Sequence, residues 1–228
     1  YQTEAGYRVN QAKGLIALGL FKDYDDIRNS PQQTAWGKVQ PGDIKYKDVN
    51  GDGIINSYDQ MPVGYARTPE ISFGFGGTVG YKNWDVSVFF TGAANTTINI
   101  GGFGMWPFYD GLGSNNVLKE YFDNRWTPEN PNAKYPAVDV GNNPNNFLTS
   151  TLWMKNGNYL RLRNAEIGYT VPPKLLGKYN FGKIRLFVNG MNLYTWDNIG
   201  FMDPESNDGV GGYPLQRSIN FGLQIDFH

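Results

Sequence analysis

Five stretches of the chain alternate between apolar and polar residues over the length of a β-strand. In the last of them Ile219, Phe221 and Leu223 share one face, and Asn220 and Gln224 lie on the other. A period of two predicts a strand with one apolar face. A solvated sheet on a soluble core gives the same pattern, so one strand alone does not distinguish the two settings. The predicted strands cover residues 70–81, 84–94, 158–170, 183–195 and 217–227.

The links between these strands alternate between long and short. Long segments occupy residues 1–69, 95–157 and 196–216, whereas the other two links are the turn at Lys82-Asn83 and the short stretch 171–182. Soluble barrels seldom segregate their loops in this way. Transmembrane barrels place short turns on the periplasmic side and long loops outside. The spacing therefore predicts part of the wall of an outer-membrane barrel.

The pattern also predicts local irregularities in two of the strands. The apolar parity changes near Arg163-Asn164 and again at Gly190, and one extra residue, a β-bulge, is the simplest account of each change. A helical turn is expected at 23–29 and a helix at 116–126, where apolar residues recur at three- and four-residue spacing. Residues 1–69 show no clean strand.

Composition narrows the function classes. The net charge is −1 without a basic cluster, which disfavours nucleic acid and anionic lipid as partners. There is no cysteine, which excludes a thiolate site. The only histidine lies at the C-terminus, which disfavours a Ser-His-Asp triad. No apolar run is long enough for a transmembrane helix. No signal peptide opens the chain, and we therefore expect Tyr1 to lie inside a longer envelope protein.

Residues 48–59 read DVNGDGIINSYD and match an EF-hand calcium loop at most ligand positions. Gly53 permits the sharp turn of such loops, and the loop ends in Asp rather than Glu. The motif predicts a structural calcium ion, bound with a dissociation constant on the order of 10⁻⁴ to 10⁻³ M as in extracellular modules. The alternative is an Asn/Asp/Gly turn that needs no ion. The expected ligands are Asp48, Asn50, Asp52, the carbonyl of Ile54, Asn56 and Asp59.

Four segments together resemble a known family. They are PGDIKYKDVNGDGIIN at 41–56, YLRLRNAEIGYTVP at 159–172, NGMNLYTW at 189–196 and GYPLQRSINFGL at 212–223. In this order they resemble the C-terminal part of SusC/RagA-type TonB-dependent outer-membrane transporters. The resemblance implies an all-β chain that supplies about the last five strands of a 22-stranded antiparallel transmembrane β-barrel with long extracellular loops.

The resemblance also implies a function and partners. The whole protein would import glycans or oligopeptides across the outer membrane of a Gram-negative bacterium, capped by a SusD-like lipoprotein and surrounded by outer-membrane lipid. TonB would supply energy through an N-terminal part that this chain lacks. Residues 1–69, with the calcium-like loop, would form an extracellular region. Residues 70–228 would form the wall, with extracellular loops at 95–157 and 196–216.

Aromatic residues of the long segments are candidates for contact with substrate or with the lid protein. The alternative is that they form the outer aromatic girdle or pack their own loops. Trp84, beside the tight turn, is expected in the periplasmic girdle, and Arg161 and Arg163 are expected to form charge pairs within the wall. The loop candidates are Trp106, Phe108, Tyr109, Trp196, Phe201 and Tyr213.

Two other functions compete with transport. A soluble, calcium-stabilised β-domain that binds carbohydrate would use the same aromatics and the same metal loop. A glycoside hydrolase would need two carboxylates about 5 to 10 Å apart in a cleft, but the Asp and Glu residues fall mostly in predicted turns. We therefore expect a transport protein and not an enzyme.

Overall fold

Five long strands form one antiparallel sheet, as the alternation predicts. The structure is a computed structural model that describes residues 5–109, 116–139, 143–176, 181–206, 212–213 and 215–227. The long strands are β5 (Ile71–Tyr81), β6 (Trp84–Ala94), β9 (Tyr159–Thr170), β10 (Phe181–Asp197) and β11 (Ser218–Phe227). The order across the sheet is β11-β10-β9-β6-β5, so each long strand pairs with the next long strand along the chain.

One of the two predicted bulges is present. Phe89 pairs with Asn164 and Phe90 with Leu162, which leaves Arg163 as the extra residue of β9. β10 is irregular between Met191 and Tyr194, but the parity change expected at Gly190 does not occur, because even-numbered residues keep to one face from Val188 to Trp196. A bulge lets the apolar set of a strand stay on one face after the parity changes.

Glycines on the strands make room for aromatic rings of the neighbouring strand. Gly222 pairs with Phe187, and a Cβ on this glycine would lie 2.1 Å from the ring. Gly92 stands in the same relation to Phe73, at 2.4 Å. A side chain at either glycine would displace the ring, so the high glycine content follows from cross-strand packing.

The long segments carry short elements of their own. Residues 1–69 show no long strand, as expected, but they contain four short strands of two to four residues that the sequence pattern did not predict. The helix expected at 116–126 is confined to five residues. The elements are β1 (Lys13–Gly14), β2 (Ala17–Leu20), β3 (Ile44–Tyr46), β4 (Met61–Pro62), β7 (Thr97–Asn99), β8 (Met154–Asn156), α1 (Tyr24–Arg28), α2 (Lys119–Asp123), α3 (Pro173–Leu176) and the 3₁₀ turns Ser57–Asp59 and Pro144–Phe147.

The chain forms two compact units that cut across the division expected from the sequence. The loop unit gathers Tyr1–Pro69, Asn95–Gly157 and Ile199–Tyr213. The wall unit consists of Glu70–Ala94, Asn158–Asn198 and Pro214–His228. Three segments far apart in sequence therefore fold together as the loop unit.

An aromatic stack lies at the centre of the loop unit. The rings of Tyr121 and Tyr135 are 5.0 Å apart and nearly parallel, and Tyr135 continues onto Trp153 at 6.2 Å. All three side chains are buried, together with Leu15 and Ile44. Stacked aromatics contribute about 0.5–1.5 kcal/mol per pair beyond the area that they bury. This stack gives the loop unit a core of its own.

A buried polar network holds the segments of the loop unit together. Asn146 accepts the Ile44 N–H at 2.9 Å and donates to Asp43 at 2.8 Å, and its carbonyl accepts the Trp153 indole N–H. Asp43 also accepts the Asn143 side chain and the Gln40 N–H. Burial raises the pKa of Asp43 against the lowering effect of these donors. The network joins residues about a hundred positions apart in sequence.

We expect Asn146→Ala to loosen the loop unit, because it removes the buried acceptor of the Ile44 amide. The free energy of opening at that amide should fall by about 1–3 kcal/mol, the cost of leaving a buried donor unsatisfied. Hydrogen exchange of the peptide around Ile44 in the full-length protein measures it. The exposed Asn130→Ala is the control and should change protection by less than about 0.5 kcal/mol. Equal exchange in both variants would contradict the role of Asn146 in holding the loop unit together.

Candidate functional site

The two faces of the five-stranded sheet differ in chemistry. On the outer face, the row Val79, Val86, Ile167, Val188 and Phe221 runs across all five strands by direct register. Phe221 is 83% exposed, and Val79 is 73% exposed. Contiguous apolar surface of this extent is rare on soluble monomers and marks a contact with protein or membrane. The same residues would be buried if the sheet lay on a soluble core.

Aromatic rings lie near both ends of the outer face. Toward the tight turn, the Trp84 and Tyr169 rings are 4.8 Å apart. Toward the long segments, Trp196 lies 4.7 Å from Tyr194 and 6.4 Å from Phe90. Along β9 the two levels are separated by about 30 Å at ~3.3 Å per residue. At the usual tilt of about 45°, this gives a band of about 20–25 Å, which is the height of a lipid-facing apolar belt.

The inner face carries a cluster of charges. Arg185 donates its Nε to Asp85 at 3.1 Å and its Nη2 to Glu166 at 2.7 Å, and the same Nη2 also bonds to Asp85. Asn189 donates to Glu166, and Asn220 donates to Asn189. These side chains come from β6, β9, β10 and β11. The cluster therefore ties four strands together across the polar face.

The sequence analysis did not single out this cluster, although the signal was present. Asp85, Glu166 and Arg185 all occupy polar positions of alternating strands. Only the register shows that they meet. Arg161 and Arg163 were named instead: Arg161 is buried on the inner face beside Tyr159, and Arg163 donates to Asn192 at 3.1 Å.

The calcium-like loop is closed by hydrogen bonds from its carboxylates to its own backbone. Asp48 accepts the N–H groups of Gly51 and Gly53 at 2.6 and 2.8 Å. Both glycines adopt positive φ, as tight loops of this kind require. Asp52 accepts the Ile54 N–H and also accepts the Asn50 side chain. Asp48, Asn50 and Asp52 thus gather their oxygens within one six-residue turn.

Asp59 and Asn56 have a different place in the loop. Asp59 is fully buried, and its two oxygens accept the Val49 and Asn56 N–H groups at 2.8 Å each. Asn56 caps the following 3₁₀ turn by accepting the Tyr58 N–H. Among the described residues, no group of three or more Asp, Glu or His side chains is arranged to hold a metal ion. Amide and carbonyl oxygens would have to complete the ligand set.

Three of the candidate aromatics lie in one part of the loop unit. Trp106 stacks on Phe147 at 4.7 Å and contacts Tyr109 at 5.0 Å, and Tyr109 is 40% exposed. Phe108 lies between them in sequence with φ +49° and is half-buried. We call Trp106, Tyr109 and Phe147 the aromatic cluster; Phe147 is the member that the sequence analysis did not single out.

The other three aromatic candidates lie elsewhere. Phe201 is half-buried and packs on the core of the loop unit. Tyr213 is 81% exposed. Trp196 was expected in a loop, but β10 extends to Asp197, so Trp196 lies on the outer face of the sheet. The structure therefore does not bring the six candidates into one site.

Curated relatives match almost the whole chain. The TonB-dependent receptors P26 and P3 of Formosa agariphila are each 30% identical to it, over 94% and 92% of the chain. A third, the TonB-dependent receptor P39 of the same organism, is 24% identical over 83% of the chain. The chain spans 22% of the length of the first two relatives. No family model matches the chain.

Solved structures share the fold. A structure of the RagAB peptide importer in the open-open state matches all of the chain with a TM-score of 0.66 at 20% identity, over 24% of its own length. A second RagAB structure, described as a peptide transporter, matches 94% of the chain with a TM-score of 0.63 at 19% identity, over 22% of its own length. At this identity the likeness establishes the fold alone.

The described residues contain no helix long and apolar enough to cross a membrane. The curated relatives are named as receptors, and the expectation that the chain is not an enzyme is confirmed by them. The resemblance read from the four sequence segments is confirmed as well. The chain belongs to the SusC/RagA-like TonB-dependent transporters, and its all-β fold is part of a larger barrel of that family.

Proposed function

We propose that the whole protein lies in the outer membrane of a Gram-negative bacterium and imports oligopeptides or glycans together with a SusD-like surface lipoprotein. The observation that carries this proposal is the sheet with an exposed apolar outer face, bounded by aromatic rings, and a charged inner face. A wall between lipid and a polar lumen needs both faces. In this proposal the wall unit supplies part of the barrel.

Within that function the wall must stay closed while other parts of the protein move. Every strand pair of the sheet is joined by a continuous backbone ladder, interrupted only near the bulge in β9, at the irregularity in β10 and at the start of β10. The Arg185, Asp85 and Glu166 cluster adds side-chain bonds between the strands. A force transmitted through TonB would act on a part of the whole protein outside the wall unit. We assign the wall a static role.

The aromatic cluster is our candidate for contact with substrate or lid. Trp106 is fixed by Phe147 and by Trp153, at 4.7 and 6.1 Å, whereas Tyr109 reaches the surface. A ring held in place loses little conformational entropy on binding. The structural neighbours are described as importers of peptide, which favours oligopeptides over glycans as the first substrates to test.

The soluble carbohydrate-binding alternative is less well supported. It would bury the outer face, yet Phe221, Leu223 and Phe227 are exposed by more than half. A chain with this surface should require detergent or lipid to stay in solution.

The orientation of the two faces can be tested at one pair of adjacent positions. Val88→Arg places a charge on the outer face in the middle of β6, and we expect it to destabilise the assembled barrel by roughly 2–4 kcal/mol. Ser87→Arg, on the inner face opposite Glu166, should cost much less because that face is polar. Denaturant titration of the full-length protein in lipid vesicles measures both. Equal losses would contradict the assigned faces.

The import function is tested with a strain that lacks the full-length gene. Growth on oligopeptides as the sole nitrogen source should fail and return with the wild-type gene. Tyr109→Ala should reduce uptake by about 2- to 10-fold, the range of one lost aromatic contact. Tyr24→Ala, which changes another exposed tyrosine of the loop unit outside the aromatic cluster, should leave uptake unchanged. Normal growth of the deletion strain on both peptides and glycans would refute import of either.

We also propose a structural calcium ion in the loop 48–59. Asp48, Asn50 and Asp52 with the Ile54 carbonyl are the oxygen donors, and Asp59 organises the loop through the Val49 and Asn56 amides. Hard oxygen donors on a tight loop with two positive-φ glycines suit this cation. The ion would stabilise the turn by reducing the repulsion between the carboxylates of Asp48 and Asp52.

Calorimetric titration tests the ion directly. The metal-stripped full-length protein should bind calcium with a dissociation constant on the order of 10⁻⁴ to 10⁻³ M. Replacing both carboxylates, by Asp48→Ala with Asp52→Ala, should abolish the heat, because the two strongest donors are lost. Asp123→Ala, an acidic residue outside the loop, serves as the control. Heats that do not differ between these proteins would remove calcium from the site.

A further inference from the structure

We propose that the outer face binds one anionic glycerophospholipid, with an acyl chain in a groove beside Trp84 and Tyr169 and the phosphate group held by Lys82 and Lys174. The inference rests on the proposed membrane function and adds a lipid site to it. Three observations support the lipid site: an apolar groove, the position of this groove near one end of the strands, and the positive charges at that end.

The groove follows from the register of the strands. Trp84, Tyr169 and Leu186 form the last row of the outer face before the short links, and Ile167, Val188 and Phe221 belong to the next row. Between these two rows lies a depression of about 360 Å³. Large rings stand at its edges, and shorter aliphatic side chains form its floor.

The lining of the groove selects an apolar chain. Its aliphatic floor offers no hydrogen-bonding side-chain group, and the rings of Trp84 and Tyr169 lie 4.8 Å apart at one edge. Each methylene group that is removed from water lowers the free energy of binding, and this contribution does not depend on direction. A Trp and a Tyr at the edge of an apolar band are typical of the level at which lipid headgroups begin. The groove therefore suits an acyl chain that enters from the headgroup level.

Two lysines lie at the same strand ends, although the sequence as a whole contains no basic cluster. Lys82 lies in the turn two residues before Trp84, and its ammonium group is 5.2 Å from the centre of the Tyr81 ring. The turn is fixed to β9, because Thr170 donates its N–H to the Asn83 carbonyl at 2.8 Å. Lys174 follows β9 in the short helix α3, beside the exposed Leu175. Lysines beside exposed apolar residues at this level suit an anionic headgroup.

The acidic groups near this end are engaged elsewhere. Asp85 follows Trp84 but points to the inner face, where it pairs with Arg185. Asp226 lies on the inner face of β11 with Lys183 as its register partner. Neither carboxylate lies on the outer face, so the charge presented beside the groove is positive. In the proposed topology this end faces the periplasmic leaflet, which consists of phospholipid.

Native mass spectrometry of the full-length transporter tests the site. The protein is delipidated in detergent and titrated with phosphatidylglycerol, and phosphatidylcholine serves as the neutral probe. Wild-type protein should retain one phosphatidylglycerol saturably and in preference to phosphatidylcholine. Lys82→Gln with Lys174→Gln should weaken this binding by roughly 10- to 30-fold. Lys38→Gln with Lys47→Gln, two exposed lysines of the loop unit, is the matched control and should bind as wild type.

A second pair of variants tests the groove itself. Val188→Trp fills the groove and should remove the bound lipid, whereas Val79→Trp, the same change on the same face outside the groove, should not. Lipid binding that is linear, equal for both probes, or unaffected by Lys82→Gln with Lys174→Gln and by Val188→Trp would overturn the inference. Assembly in the outer membrane and uptake are measured in parallel. A protein that assembles and imports without retaining lipid refutes the lipid site alone, and one that does not assemble refutes the membrane function.

Discussion

The hydrogen-bonded ladder between the five long strands is the interaction on which the remaining features depend. In a hydrocarbon layer no water is available to backbone N–H and C=O groups, so each strand must find its partners in its neighbours. The ladder runs through ten or more register pairs between neighbouring strands. Once it is fixed, every second side chain lies on the same face of the sheet, and the alternation of the sequence follows.

The strand register also determines which polar side chains meet on the inner face of the sheet. Because register places Asp85, Glu166 and Arg185 side by side, one arginine is shared by two carboxylates from separate strands, and all three side chains are partly buried. Glycines such as Gly222 take the opposite role, since they let the Phe187 ring lie flat against the neighbouring strand. Charge and ring packing thus both act across strands. Neither would survive a register slip of one residue, which moves every side chain to the other face.

The sequence predicts well what depends on local pattern and poorly what depends on distant partners. The five strands, the tight turn and the bulge at Arg163 follow from parity along one strand. The short strands of the loop unit were missed because β1 and β4 pair across about fifty residues and each is too short to show a period. The ion cluster was missed for the same reason: Arg185 and Asp85 are a hundred positions apart, and only the register joins them. Trp196 was placed in a loop because β10 is longer than its apolar pattern.

The long segments of the loop unit are not flexible linkers, because they fold around a core of their own. Its aromatic stack and the network around Asn146 connect residues of the segments 1–69 and 95–157, so the chain between the strands has a core to pack against. A core fixes the rings that rest on it, and Trp106 contacts Trp153 directly. Binding to a fixed ring costs less ordering than binding to a ring on a free loop. Long segments with their own core therefore combine the tolerance of loops for sequence change with the positional precision that recognition needs.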